Sequence, residues 1–295
     1  MRILFVVDSL DYGGVARQLT LLIPQLVGKR IETHLCVLGH ETPWTRLLSS
    51  RGVDVTALHW NRILDGRPLW RLRQIVRELQ PDLVLTQDLC AVCAVPAGHV
   101  TEALSLLGSP AEVVSLDPGS LGEVLDCLLQ VGRVTGTLPR AQAVVDGLNA
   151  RLAAVAAAVA GLPRPRTFGL EWSDPPFNAG HWVPEMIELA GGESVLSSPG
   201  IPSVRVTWEQ IAEADPQVVV FMPCGYGLED GAREAEGLLA RPELARVTSL
   251  FAVDASAHFS RPGPRLVDGV EILAAALHPE VFHTEGRHLI RVRRG

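Results

Sequence analysis

Apolar residues recur along the chain in two alternating rhythms. RILFVV (2–7), THLCVL (33–38), VDVTAL (53–58) and DLVLTQ (82–87) are short apolar runs bounded by polar turns, the pattern of strands. Between them, residues 15–27, the stretch PWTRLLSSRG (43–52) and residues 67–80 read as helices. In the last of these Leu69, Leu72, Ile75, Val76 and Leu79 fall at helical spacing. A helical stretch near 97–107, a strand at 113–117 and a helix capped around Ser120 continue the alternation.

Residues 138–163 then read as one long helix, ended by Gly161 and Pro163. Beyond it come a strand at 167–172, helices at 182–190 and 207–213, a strand at 218–223, a helix at 229–240, a strand at 250–254 and a closing helix at 264–277. Strand–helix alternation of this kind predicts an α/β protein: two Rossmann-like lobes, three-layer with mostly parallel sheets, joined by one long backbone helix. The expected bounds are 1–137 for the N-terminal lobe, 138–163 for the backbone helix, 164–284 for the C-terminal lobe and 285–295 for a tail.

Composition narrows the class. With 295 residues, 47% of them hydrophobic, the chain is long enough for a large core, and disorder is excluded. The net charge of -7 is uneven: residues 1–82 hold 11 Lys and Arg against 8 Asp and Glu, and the remainder 15 against 25. An acidic balance over the larger part argues against nucleic acid as a partner. The 5 cysteines, Cys36, Cys90, Cys93, Cys127 and Cys224, have no disulfide-scaffold density, which leans towards a reducing compartment. MRILFVVDSLD reads as a first strand, its apolar run too short for a signal-peptide core, and the longest apolar stretch, 152–162, reads as an Ala-rich helix. The expectation is a cytoplasmic protein that is not embedded in a membrane.

Catalytic templates fit poorly. GYGLEDG (225–231) follows a strand and opens a helix, but its glycine spacing is not that of a dinucleotide fingerprint, and a tight turn explains it better. Walker A, HExxH and GxSxG elements are absent, and the 9 histidines show no metal-ligand spacing. The CxxC of Cys90 and Cys93 has only His99 nearby as a further soft ligand, so two small buried hydrophobes explain it better than zinc. No protein-bound metal is expected.

Two resemblances cover different parts of the chain. The segments PDLVLTQDLCAVCAVP, VVSLDPGSLGEVLDCLLQVGRVTG, LEWSDPPFNAGHWVPEMIELAGGE, DPQVVVFMPCGYGLE and HFSRPGPRLVDGVEILAAALHPE run in order over about 80–284. They resemble the cobalamin-binding, class III (helical-backbone) periplasmic-binding-protein family. Residues 1–85, with MRILFVVDSLDYGGVARQL and RGVDVTAL, instead resemble the N-terminal half-domain of a GT-B glycosyltransferase of family 4 type. That second likeness implies a diphosphate site with a basic pair and a Glu-x7-Glu element. Glu185 and Glu193 have the spacing, but the segment LEWSDPPFNAGHWVPEMIELAGGE that holds them has no Arg or Lys to neutralise a diphosphate, and Lys29 is the only lysine in the chain.

The first resemblance implies a binding protein of the ABC-transporter type and no enzyme. Its ligand would be cobalamin or a related corrinoid held between two lobes, and its partner a transporter permease. A corrinoid needs flat aromatic surfaces and hydrogen bonds to its rim of amides. Strand-to-helix junctions of the second lobe offer Trp172, Trp182, Cys224, Tyr226, Phe259 and Arg261, and the family likeness points to Asp88 and Cys90 in the first lobe. The plainer alternatives are that the aromatics belong to the core and that Arg261 and Arg265 pair with Asp268 or Glu271. Two other readings stay open: a glycosyltransferase or its remnant, with Gly13 and Gly14 near an acceptor, and a hybrid chain with no evolved ligand.

Overall fold

The computed structural model describes residues 1–7, 10, 14–28, 31–59, 66–86, 111–282 and 288–293. They form two compact units, Met1–Asp117 and Pro118–Gly295. In the first, strands β1 (Arg2–Val7), β2 (Glu32–Val37), β3 (Asp54–Ala57), β4 (Leu83–Thr86) and β5 (Glu112–Ser115) make one parallel sheet in the order β3-β2-β1-β4-β5. Alternate residues of β2 serve opposite faces, as the period of a strand requires. Cys36 packs with Leu4, Leu58, Ile75, Val76 and Leu79, whereas Leu35 and Val37 pack with Leu10, Ile23, Leu48 and Val53. Burial pushes the Cys36 thiol up to about 11, so it is an inert packing group.

Helices α1 (Gly14–Gly28), α2 (Pro43–Ser50) and α3 (Gly66–Leu79) form the crossovers. Helix α2 starts at Thr42 for a local reason: the Thr42 and Thr45 side chains cap one another's backbone amides, and Pro43 cannot miss an N–H it does not have. Arg2 fastens the entry of β1 to the entry of β4 through Asp82, at 3.0 Å from both its backbone nitrogen and its guanidinium. Those hydrogen bonds hold the Asp82 carboxyl below its ordinary value.

The second unit opens with α4 (Leu121–Val134) and α5 (Leu138–Val159), an antiparallel pair that meets where a Cβ on Gly132 would lie 2.5 Å from the Ala141 methyl. By length and composition α5 could cross a membrane. In the fold its Val145, Leu148 and Val155 are buried, and Arg151 binds Asp268 and Glu271, each at 2.6 Å. Those two carboxylates raise the guanidinium's proton affinity.

The sheet of this unit runs β11-β10-β9-β6-β7, with β8 also beside β6. Strands β6 (Arg166–Ser173), β8 (Glu193–Ser194), β9 (Val218–Phe221) and β10 (Ser249–Val253) are parallel, while β7 (Pro176–Asn178) and β11 (Leu289–Val292) are antiparallel. Helices α6 (Val183–Leu189) and α10 (Arg265–Leu277) cover one face, α7 (Trp208–Glu213) and α8 (Leu228–Leu238) the other. Strand β9 is buried on both faces: Val218 and Val220 join the first layer, Val219 and Phe221 the second. A central parallel strand therefore reads as a continuous apolar run. A single turn, α9 (Ala255–His258), follows β10.

Every described strand and helix expected from the hydrophobic pattern is present, within a few residues at its ends. The helix near 97–107 lies outside the described residues. Strands β7, β8 and β11 and the turn α9 are not signalled by that pattern, and β11 falls within the stretch 285–295 expected as a tail.

Candidate functional site

The carboxyl ends of β6, β9 and β10 lie side by side because these strands are parallel neighbours, so the loops after them share one edge of the sheet. After β6 the chain reverses into β7, with Trp172 opposite Phe177 and Ser173 opposite Pro176. The Trp172 indole N–H donates to the Asp174 carbonyl at 3.0 Å, which fixes the ring's direction. After β9, the sequence Pro223-Cys224-Gly225-Tyr226 makes a turn in which Gly225 takes φ 87°, a conformation suited to glycine. That turn brings the Tyr226 ring edge-on to Trp172, 5.8 Å between centroids at 87°.

Two hydroxyls complete the cluster. Ser173 donates to Glu234 of α8 at 2.5 Å, and the same carboxylate, beside Tyr226, holds the phenol's pKa above its ordinary value. The Tyr226 carbonyl accepts from the Ser256 amide at 3.2 Å, tying the β9 loop to the β10 loop. Cys224 is exposed on the turn.

Trp182 and Phe259 are placed differently. They are 6% and 3% exposed and lie in the core with Met186, Leu266 and Val270. The Trp182 indole donates to the Phe259 carbonyl at 2.7 Å. This bond anchors the loop that carries Arg261. Arg261 itself is half-buried and makes no ion pair with a described residue, and the acids it might have met, Asp268 and Glu271, bind Arg151. Asp88, Cys90 and Cys93 lie outside the described residues.

Beneath Trp172, the preceding residue Glu171 points inward and accepts from Ser203, whose oxygen also takes the Gly180 amide at 3.1 Å. A side chain on Gly180 would collide with the backbone at Pro202 and Ser203. Burial raises the Glu171 pKa, against the lowering effects of Ser203 and the nearby His181. The glutamates at the glycosyltransferase-like spacing have structural partners: Glu185 accepts from the Leu121 amide at 2.7 Å, at the start of α4, and Glu193 pairs with Arg166 at 2.9 Å.

Among the described residues no three potential metal ligands come together. Two depressions of about 390 and 370 Å³ lie elsewhere, one against Leu238, Leu244 and Arg291, the other against Val159 and Glu188. Neither includes Trp172 or Tyr226. The aromatic edge is the better candidate, because neither depression is lined by an aromatic side chain.

The strand ends of this open α/β sheet present aromatic and polar side chains on one edge. The model of the periplasmic binding protein family matches residues 75–250, more than half of the chain, and the chain belongs to that family. The family is one of binding proteins and not of enzymes. A cobalamin-binding protein of Halobacterium salinarum is 27% identical over 168 residues, which are 54% of this chain and 45% of that protein. The chain thus spans about half the length of that relative.

Solved structures with the same fold include the periplasmic vitamin B12 binding protein BtuF of Vibrio cholerae (TM-score 0.58, 19% identity, 94% of this chain and 96% of that one). A periplasmic heme binding protein from Pseudomonas aeruginosa is similar to the same degree (TM-score 0.60, 19% identity, 99% and 98%).

Two expectations are corrected. Cytoplasmic residence is overturned, since the matching family and these solved structures are periplasmic binding proteins. A low count of unpaired cysteines fits either compartment and is a weak guide. The glycosyltransferase likeness of residues 1–85 is not supported either. Structures of the binding-protein fold cover 93% to 99% of the chain, which leaves no room for 85 residues of another fold. A strand, a glycine turn and a helix begin many α/β units, and such a start does not discriminate between them.

Proposed function

We propose that the protein is the solute-binding component of an ABC transporter and that its ligand is a corrinoid, cobalamin or a close relative. The edge-to-face pair of Trp172 and Tyr226 at the end of the second sheet carries this reading. It offers a half-exposed aromatic surface of the kind a flat macrocycle covers, ringed by polar groups that suit its amides. Trp172, Tyr226 and Arg261 are the proposed contacts, with Cys224 beside them. Trp182 and Phe259 act by holding the Arg261 loop. The cobalamin-binding relative supports this choice of ligand, and a permease is the partner that such a component would serve.

The test is addition of hydroxocobalamin, read as a shift of its visible spectrum and as thermal stabilisation. A ligand at one hundred times Kd stabilises the folded state by about 2.7 kcal/mol, enough for a clear rise in Tm. No spectral or thermal change at a large excess would overturn the proposal. A second reading, haem as ligand, is favoured by the likeness to the Pseudomonas aeruginosa protein, and hemin in the same assay separates the two.

A further inference from the structure

Corrinoids and porphyrins are both flat tetrapyrroles, and an aromatic pair alone does not tell them apart. They differ at the rim: the corrin carries neutral amides, which donate hydrogen bonds, whereas haem carries two propionates, which are anionic and only accept. Resting on the corrinoid reading above, we infer that Glu234 is the residue that sets this choice. It makes the edge beside Trp172 and Tyr226 an array of hydrogen-bond acceptors that takes amide N–H groups and rejects carboxylates.

The placement of the protons decides what the edge can bind. Ser173 donates to Glu234 at 2.5 Å. A carboxylate has no proton to give, so Ser173 spends its single O–H on Glu234. What Ser173 has left to offer a ligand is lone pairs. The Trp172 indole N–H is also spent, on the Asp174 carbonyl. The carboxylate itself, with room for about four donors, has taken one from Ser173. An edge built this way complements donors and has little for an anion to bind.

Charge acts in the same direction. Glu229 and Asp230 lie in the first turn of α8, and Asp254 caps α9. Arg233 is engaged by Asp230 at 3.2 Å. Arg261, on the neighbouring loop, is a cation that could favour an anion, one charge against these several carboxylates. The Glu234 carboxylate, and more weakly Asp230, hold the Tyr226 phenol's pKa above its ordinary value. A propionate at the same edge meets the same opposition.

Two ligands separate this role of Glu234 from corrinoid binding itself. Affinities for dicyanocobinamide, which has the amide rim without the nucleotide tail, and for hemin are measured on the wild-type protein and on Glu234→Gln. We expect the wild type to prefer the cobinamide. In Glu234→Gln the preference narrows by about two- to fivefold, mostly through tighter hemin binding, the scale of one partly solvated charge contact.

Because the Gln variant could misfold, a second measurement uses the wild type alone. Raising the salt from about 10 mM to about 0.5 M shortens the Debye length several-fold and should improve hemin binding relative to cobinamide. A folded Glu234→Gln with an unchanged ratio, or a wild-type ratio insensitive to salt, overturns the role of Glu234 while leaving corrinoid binding standing. A wild type that binds no corrinoid, or prefers hemin, overturns the functional reading itself.

Discussion

Two aromatic pairs of the second unit have similar sequence surroundings and opposite fates. Trp182 and Phe259 are sealed in the interior, joined by an indole-to-carbonyl hydrogen bond and packed on Met186 and Val270. Trp172 and Tyr226 stand edge to face at the rim, the Trp172 indole held by the Asp174 carbonyl. Each tryptophan lies where a strand or hairpin hands over to the next element. What separates them is the surroundings: Trp182 is packed among Met186, Leu266 and Val270, whereas Trp172 and Tyr226 meet only edge to face. The interior pair therefore governs whether the loop bearing Arg261 has a shape, and the rim pair governs what that shape can hold.

The strongest way to break this distinction is Trp182→Ala. Truncating a buried tryptophan with a satisfied N–H should cost about 3–5 kcal/mol, seen as a lower midpoint of denaturant unfolding. If the variant stayed within about 1 kcal/mol of the wild type and lost only ligand binding, the interior assignment would be wrong. Trp172→Ala should do the reverse. It should change stability by about 1 kcal/mol and weaken corrinoid binding roughly tenfold or more, since one aromatic anchor at a recognition surface commonly carries that much.

The sequence revealed the scaffold far better than it revealed this division. Runs such as VVVF at 218–221 and the helical spacing in Arg265–Leu277 signal buried elements directly, because burial on both faces leaves an unbroken apolar pattern. Strand β7 gave no such signal: Pro176–Asn178 is three residues in a proline-rich turn, and its pairing is set by the return of the chain from β6. Strand β11 is a short LIRV run between polar residues, recruited by the exposed side of β10. Whether Trp182 is covered depends on a carbonyl 77 residues away, which no local pattern encodes. Glu234 was invisible for the same reason. It sits in LEDGAREAEGL, which reads as an ordinary solvated helix face until the fold brings Ser173 to it from 61 residues back.

Acid should loosen the interior side before the rim. His258, next to Phe259, is 7% exposed, with Nε2 3.3 Å from His288 and Nδ1 3.8 Å from Asp268. Its Nδ1 has no hydrogen-bond partner among the described residues. Burial and then His288 lower its pKa, against the raising effects of Asp268, Asp254 and the Arg265 backbone. Asp268 is itself bound to Arg151, which also holds Glu271. For a base with a depressed folded pKa, stability is fully present above the ordinary value of 6.5 and is lost as the pH falls below it. The Tm should therefore fall between pH 7 and pH 5, and less so in His258→Gln, which cannot charge. Equal slopes in the two proteins would remove His258 as the cause.

The smallest effect expected lies directly under the rim. Glu171 precedes Trp172 but turns inward to Ser203, and burial is the largest influence on its carboxyl, raising the pKa from 4.5. For an acid with a raised folded pKa, the contribution to stability is complete when the group is protonated and is lost as the pH rises through the folded value. Glu171→Gln copies the protonated form and keeps an oxygen for the Ser203 hydroxyl. It should match the wild type near pH 4.5 and exceed it at pH 8 by about 1–2 °C in Tm, a modest gain because the residue is only partly covered. Corrinoid affinity should stay within about twofold, since the altered atom faces the interior rather than the ligand. A difference in Tm that does not grow with pH would mean that the carboxyl titrates alike in the folded and unfolded chains, so that burial does not disfavour its ionised form. A large loss of affinity would mean instead that Glu171, and not only Trp172 and Glu234, belongs to the surface the ligand touches.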